Sequence, residues 1–184
     1  MASFTLNFTG SMVFVYDSSN DLITETVVSG HNRDEMYIEI SSGLEGLRPG
    51  ARLNLLIIHS AGVSELSGFL RGVRQGIFEV SIYDERQRDV RASVRRTLKI
   101  NAVISDMVTD DDSSAIFSPL PVTIENMSTS GILITLHSAR LEKGALLQIE
   151  FHLNNKTAVV YGEIIREQVQ KDGSFAYGCK LHFI

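Results

Sequence analysis

Val122-Thr-Ile-Glu-Asn-Met-Ser-Thr-Ser-Gly-Ile-Leu-Ile-Thr-Leu136 is apolar and β-branched at both ends and polar in the middle. Val122 and Ile124 lead into the polar centre and Ile132 to Leu136 lead out of it, so the stretch predicts two strands joined by a turn that ends in glycine. Within that turn Asn126 carries a donor and an acceptor on one amide, Ser128 adds a hydroxyl, and Gly131 allows a positive φ or a close backbone approach. A turn so furnished can read the edge of a base. Asn-x-Ser-x-x-Gly also describes many ordinary hairpin turns, so the turn alone decides nothing about function.

The pattern on either side extends the β reading. Upstream, Leu98, Ile100, Ala102 and Ile104 alternate with Thr97, Lys99 and Asn101. Downstream, Leu147, Ile149, Phe151 and Leu153 alternate with Gln148, Glu150 and His152, which is the period of a half-buried strand. A further strand covers Thr157 to Arg166, and Lys171-Asp-Gly173 suits a hairpin turn. Phe175, Tyr177, Cys179, Leu181 and Phe183 then make the inward face of a last strand, with Cys179 as core packing, and Ser138 to Gly144 has room for a single helical turn.

The chemistry that would partner the Asn126 turn lies earlier, in Arg91-Ala-Ser-Val-Arg95 with Arg96 directly after it. Arginine presents a planar fork of donors that fits phosphate oxygens or the O6/N7 edge of guanine, and it stacks on flat rings. The stretch sits in the most basic part of an otherwise acidic chain: Arg86, Arg88, Arg91, Arg95, Arg96 and Lys99 are opposed only by Asp89 after Asp84 and Glu85. A solvated linker is the ordinary reading of such a segment.

Order and spacing change that reading. Arg91-x-x-x-Arg95, then a strand, then Asn126-x-Ser128-x-x-Gly131 between strands, resembles the PilZ domain, whose signature is RxxxR followed by [D/N]xSxxG. Gly162-Glu-Ile-Ile-Arg166 and the closing Tyr177-Gly178-Cys-Lys-Leu-His-Phe183 resemble late strands of the same family. The resemblance covers Arg91 to Ile184. It implies a six-stranded β-barrel that binds the bacterial second messenger cyclic di-GMP, commonly as an intercalated pair, and passes the signal on by changing shape. Carried over residue by residue, it implies ligand contacts from Arg91, Arg95, Asn126, Ser128 and Gly131, with Arg96 as a further candidate. Asn126 stands where aspartate is frequent.

The first half is also β in pattern. Leu6 and Phe8 alternate with polar neighbours, Leu22 to Val28 is rich in threonine and valine, and Met36, Ile38 and Ile40 point opposite to Tyr37 and Glu39. Arg52 to Ile58 is a nearly continuous apolar run typical of a deeply buried strand, and Gly62, Gly68, Gly72 and Gly76 punctuate the segment up to Phe78, Val80 and Ile82. Leu47, Gly50, Leu53, Leu55 and Ile57 give a pattern that resembles the N-terminal domain of flagellar-brake proteins, which is similar to the split barrels of flavin-binding proteins. Arg71 and Arg74 are the only evident phosphate ligands there, too little for a flavin site. The expected organisation is all-β, two small barrels in tandem: a split-barrel-like domain over 1–84, an arginine-rich linker over 85–96, and a PilZ-like barrel over 97–184.

Composition narrows the function classes. A formal charge of −5 over 184 residues argues against general nucleic-acid binding, which needs a broad basic face, so an anionic ligand must be met locally. One cysteine cannot close an internal disulfide, the start lacks a secretory pattern, and no apolar run approaches the roughly 18 to 20 residues that span a bilayer. The expectation is a cytoplasmic protein without direct membrane insertion and, lacking a helical tail, a monomer. Asp110-Asp111-Asp112 has no glycine in register for a calcium loop, and the five histidines show no paired zinc spacing. No motif for a nucleophile, a P-loop or a dinucleotide fingerprint appears, so neither an enzyme nor a resident cofactor is expected. The expected function is a cyclic di-GMP-binding regulatory adaptor that changes interdomain arrangement and acts on an unidentified protein effector in motility or exopolysaccharide output. The alternative is a protein-interaction module of the same fold that does not bind nucleotide.

Overall fold

The computed structural model describes residues 6–32, 34–40, 47–83, 95–109, 118–137, 139–153 and 155–183. Two compact units divide the chain, Met1–Ala92 and Ser93–Ile184. Each closes into a six-stranded barrel.

The first barrel contains β1 (Met12–Tyr16), β2 (Leu22–His31), β3 (Glu35–Glu39), β4 (Arg52–His59), β5 (Gly62–Arg74) and β6 (Ile77–Tyr83). Its order is β1-β2-β3-β6-β5-β4, and antiparallel pairing of β1 with β4 closes the ring. Val13, Val15, Met36, Ile38, Leu53, Leu55, Ile57, Phe78 and Val80 fill the interior with no exposed surface. Each such side chain contributes about 1.5–3 kcal/mol through removal from water. Every residue of β4 from Leu53 to Ile58 is buried, as its continuous apolar run predicts.

Two features of this half depart from the sequence expectation. Leu6 and Phe8 belong to no strand. Leu6 is exposed, the Asn7 side chain accepts the Thr9 N–H at 3.0 Å, and Phe8 is buried against the rings of His31 and His59 at 5.1 and 5.2 Å. Gly68 and Gly72 do not break the chain but lie inside one long strand, β5. Space explains Gly68: a Cβ there would stand 2.6 Å from both the Ser81 carbonyl oxygen and Val80 Cγ1, so any side chain would force β5 and β6 apart. Gly72 sits where the β5–β6 register shifts.

The second barrel contains β7 (Arg96–Val108), β8 (Leu120–Met127), β9 (Gly131–Leu136), β10 (Leu146–Leu153), β11 (Lys156–Val169) and β12 (Phe175–His182). Its order is β10-β11-β12-β9-β8-β7, and β10 pairs with β7 to close it. Leu98, Ile100, Ala102, Ile104, Leu147, Ile149, Phe151 and Leu153 are all buried, so the period-two reading holds on both strands. Tyr177, Cys179 and Leu181 are buried as expected, whereas Phe183 lies past the end of β12 and is half exposed. The expected helical turn after Ser138 does not form among the described residues. Instead Leu141 is pinned inward by its N–H, which donates to the buried Tyr177 hydroxyl oxygen at 2.9 Å.

Candidate functional site

The Asn126–Gly131 turn joins β8 to β9 and is closed by Ser128. The backbone N–H of Ser128 donates to the Gly131 carbonyl at 2.9 Å, and the Ser128 hydroxyl oxygen accepts the Gly131 N–H at 3.2 Å. Ser128 is 4% exposed, so its hydroxyl builds the turn rather than standing open to solvent. Gly131 is needed for space, since it is not among the glycines with positive φ. A Cβ there would lie 3.1 Å from the Cys179 carbonyl oxygen on β12. The turn is anchored from the other side as well, because Leu181 N–H donates to the Ser130 carbonyl at 3.0 Å.

Strand register brings the start of β7, directly after Arg95, to this turn. Arg95 is exposed and directly precedes β7; Arg96 faces Met127 across β7 and β8, and Thr97 faces Asn126. The row continues around the barrel wall, with Asn126 opposite Leu133 on β9 and Leu133 opposite Gly178 on β12. Lys180, also exposed, faces Gly131 across β9 and β12. Two irregularities fall beside Asn126. On β7, Leu98 and Lys99 together oppose Glu125, with Lys99 at φ 62°; on the β8–β9 side Glu125 is itself the surplus residue. Bulges of this kind bend a strand and redirect its side chains. The Glu125 carboxylate is engaged by the Thr135 hydroxyl, which donates to it at 2.9 Å.

The six sequence candidates therefore fare differently. Arg95, Asn126 and the backbone at Gly131 lie together at one end of β7, β8 and β9, and Asn126 is half-buried beside exposed Arg95. Arg96 is 4% exposed and is engaged within the protein, so burial takes its guanidinium out of the open group that the sequence suggested. Arg91 lies outside the described residues, as do Asp110, Asp111 and Asp112. Leu133, Gly178 and Lys180 stand near these candidates through strand register. In the sequence Gly178 and Lys180 fall in the closing motif of the family resemblance without a ligand role, and Leu133 reads as an ordinary outward position of an alternating strand.

Other candidates are answered by their partners. In the first barrel Arg71 pairs with Glu35, and Arg74 lies 3.6 Å from Glu79, so both guanidiniums proposed for a flavin phosphate already face carboxylates. The Tyr37 hydroxyl donates to Glu35 at 2.8 Å and, with Asn32 and Arg71, holds that carboxyl below its ordinary pKa. Among the described residues no group of three or more His, Cys, Asp or Glu side chains could hold a metal ion. No helix among them is long and apolar enough to cross a membrane. Burial pushes the Cys179 thiol up to about 12, which removes it as a nucleophile near neutral pH.

The six-stranded barrel thus carries Arg95 and Arg96 at the start of the strand that runs beside an Asn-x-Ser-x-x-Gly turn. The family model for the PilZ domain matches residues 85–184, more than half of the chain, and the chain belongs to the PilZ domain family. No curated protein sequence matches it. Solved structures similar to it include the Bacillus subtilis inhibitor of motility MotI/DgrA, at 13% identity and TM-score 0.39, covering 96% of this chain and 89% of that one. The K. pneumonia MrkH–c-di-GMP complex matches at 14% identity and TM-score 0.38, covering 95% and 80%. YcgR of Escherichia coli in complex with c-di-GMP matches at 10% identity and TM-score 0.38, covering 94% and 76%.

Proposed function

We propose that the protein is a non-enzymatic cyclic di-GMP receptor, a regulatory adaptor whose ligand is held by Arg91, Arg95, Asn126 and the Gly131 backbone, with Ser128 shaping the turn. The observation that supports this reading is the Thr97–Asn126 register, with Arg95 directly before the strand that carries Thr97, in a PilZ domain. Guanidiniums meet the phosphates and purine faces of such a ligand, and the Asn126 amide offers a donor and acceptor to a guanine edge. Arg91 comes from the segment that joins the two barrels, so a ligand gripping it together with Asn126 ties that segment to the second barrel. Binding thereby becomes a change in interdomain arrangement, which an effector protein in motility, exopolysaccharide or similar output reads. Each tenfold preference of the ligand for one arrangement shifts the balance by about 1.4 kcal/mol.

A second reading, a barrel that recognises a protein without nucleotide, draws support from the burial of Ser128 and Arg96. Calorimetric titration separates the two. Under the receptor reading cyclic di-GMP binds the wild type, and Arg91→Ala and Arg95→Ala abolish the heat; a wild type that gives no heat sinks it.

A further inference from the structure

The first barrel repeats the topology of the second. Starting at β7, the second ring runs β7-β8-β9-β12-β11-β10, the same order as β1-β2-β3-β6-β5-β4. The irregularities repeat as well. Ser29 is the surplus residue between β2 and β3, as Glu125 is between β8 and β9, and Arg71 is surplus on β5 as Ile165 is on β11. Register then sets Gly30 where Asn126 stands in the second barrel, Tyr37 where Leu133 stands and Glu79 where Gly178 stands. The wall is the same and its side chains are not, so it meets a different chemistry.

On this wall a cavity of about 660 Å³ is lined by Tyr37, Arg74, Gln75, Ile77 and Glu79, a volume usual for a small-molecule site. Its aromatic side is fixed in advance. The Tyr37 hydroxyl donates to Glu35 at 2.8 Å, Arg71 pairs with the same carboxylate, and the ring lies against Gly30, where a Cβ would stand 3.3 Å from Tyr37 Cδ2. Ile77, half-buried, adds apolar surface. Gln75 and Gly76 have φ of 49° and 79°, so a two-residue hairpin turn of defined geometry presents Gln75 to the cavity.

The charged pair decides the ligand. Arg74 Nε lies 3.6 Å from Glu79 Oε1 and the Arg74 side chain is 81% exposed, so the two separate at little cost. A simple anion would draw Arg74 away and leave Glu79 without a partner, and a simple cation would do the reverse. A ligand that offers the carboxylate two N–H donors and the guanidinium an anion keeps both compensated. With a flat ring against Tyr37 and Ile77, those features describe a guanine nucleotide, whose N1–H and N2 amine point the same way. Adenine has an acceptor at N1, and a flavin ring has one N–H between two carbonyls, so each sets an acceptor against Glu79.

We infer that the first barrel carries a ligand site of its own, which takes a guanine nucleotide: Glu79 accepts from the Watson–Crick edge of the base, Tyr37 stacks on its face, and Arg74 holds the phosphate. The site is independent of the receptor reading above, because it uses no residue of the Asn126 turn.

The test is amide chemical-shift mapping of the full chain with GMP, AMP and FMN, each to about 5 mM, which registers dissociation constants into the millimolar range. GMP moves the signals of Tyr37, Gln75, Gly76, Ile77 and Glu79 along one curve, while AMP and FMN bind there at least about tenfold more weakly. Glu79→Gln and Tyr37→Leu each weaken GMP about tenfold, through loss of the charged acceptor and of the stacking face. The spectra of both variants show directly whether they are folded, and the comparison of GMP with AMP needs no variant. Asn126→Ala leaves the GMP shifts unchanged. No shift at these five residues, equal affinity for GMP and AMP, or loss of the shifts in Asn126→Ala overturns the inference, and the receptor reading stands or falls on its own titration with cyclic di-GMP.

Discussion

The Ser128 hydroxyl oxygen accepts the backbone N–H of Gly131 at 3.2 Å, locking the turn that carries Asn126. Ser128→Ala removes that acceptor from a buried turn and costs about 1 kcal/mol of stability. Because the turn also positions Asn126, affinity for cyclic di-GMP falls more than the melting shift alone would produce. Gly131→Ala is worse, since its new methyl meets the Cys179 carbonyl oxygen at 3.1 Å and a backbone group cannot swing aside. Paired melts and titrations of the two variants check both statements.

Tyr177 and Leu141 supply a stability test independent of any ligand. The Tyr177 hydroxyl oxygen is the acceptor for the buried Leu141 N–H, so Tyr177→Phe leaves that donor unsatisfied. The expected loss is about 1–3 kcal/mol, seen in urea unfolding as a lower midpoint with an unchanged slope.

Cys179 is 3% exposed, and its thiol is pushed up to about 12 by burial. At pH 8 a thiol-specific reagent therefore leaves the native protein unmodified and reacts fully once denaturant is added. Rapid reaction of the native protein would show that β12 opens far more readily than its packing implies.

Acid weakens the first barrel. Burial lowers the pKa of both His31 and His59, the two rings that flank Phe8, below the ordinary value of 6.5. His59 is also held neutral by geometry: Ala61 N–H donates to Nδ1 at 3.3 Å, which leaves the Nε2 hydrogen for Ser64 at 2.9 Å. The unfolded chain takes up protons at these sites before the folded barrel does, so their contribution is intact above about pH 6.5 and is lost as pH falls through the lower folded values. The melting temperature of the wild type accordingly drops between pH 7.5 and pH 5.5. His59→Gln, which keeps a donor and an acceptor without a titrating ring, narrows that drop.

Periodicity made most of this fold legible. Wherever one face of a strand is buried, as on β7 and β10, alternation of apolar and polar residues gave both the strand and its inward side. Glycine was the weak point. Gly68 resembles a turn residue in one dimension, yet it is a mid-strand position emptied by the approach of Ser81 and Val80 from a neighbouring strand, and that is a fact of pairing. The site divides in the same way. A local motif names Asn126 and Arg95, and another contains Gly178 and Lys180, but no motif says that Leu133 and Gly178 stand in line with Asn126, because only the register of three separate strands sets that row. Arg96 shows the reverse failure, since a charge in a basic run gives no hint that it opens a strand and is buried there.

Amide chemical-shift mapping with cyclic di-GMP puts the account at greatest risk. On saturation the backbone signals of Thr97, Asn126, Ser128, Gly131 and Gly178 should move together along a single titration curve, since one ligand spans the row that register assembles. If those signals stay fixed while the protein saturates through shifts elsewhere, or if no signal moves, the arginine segment and the asparagine turn do not share a ligand.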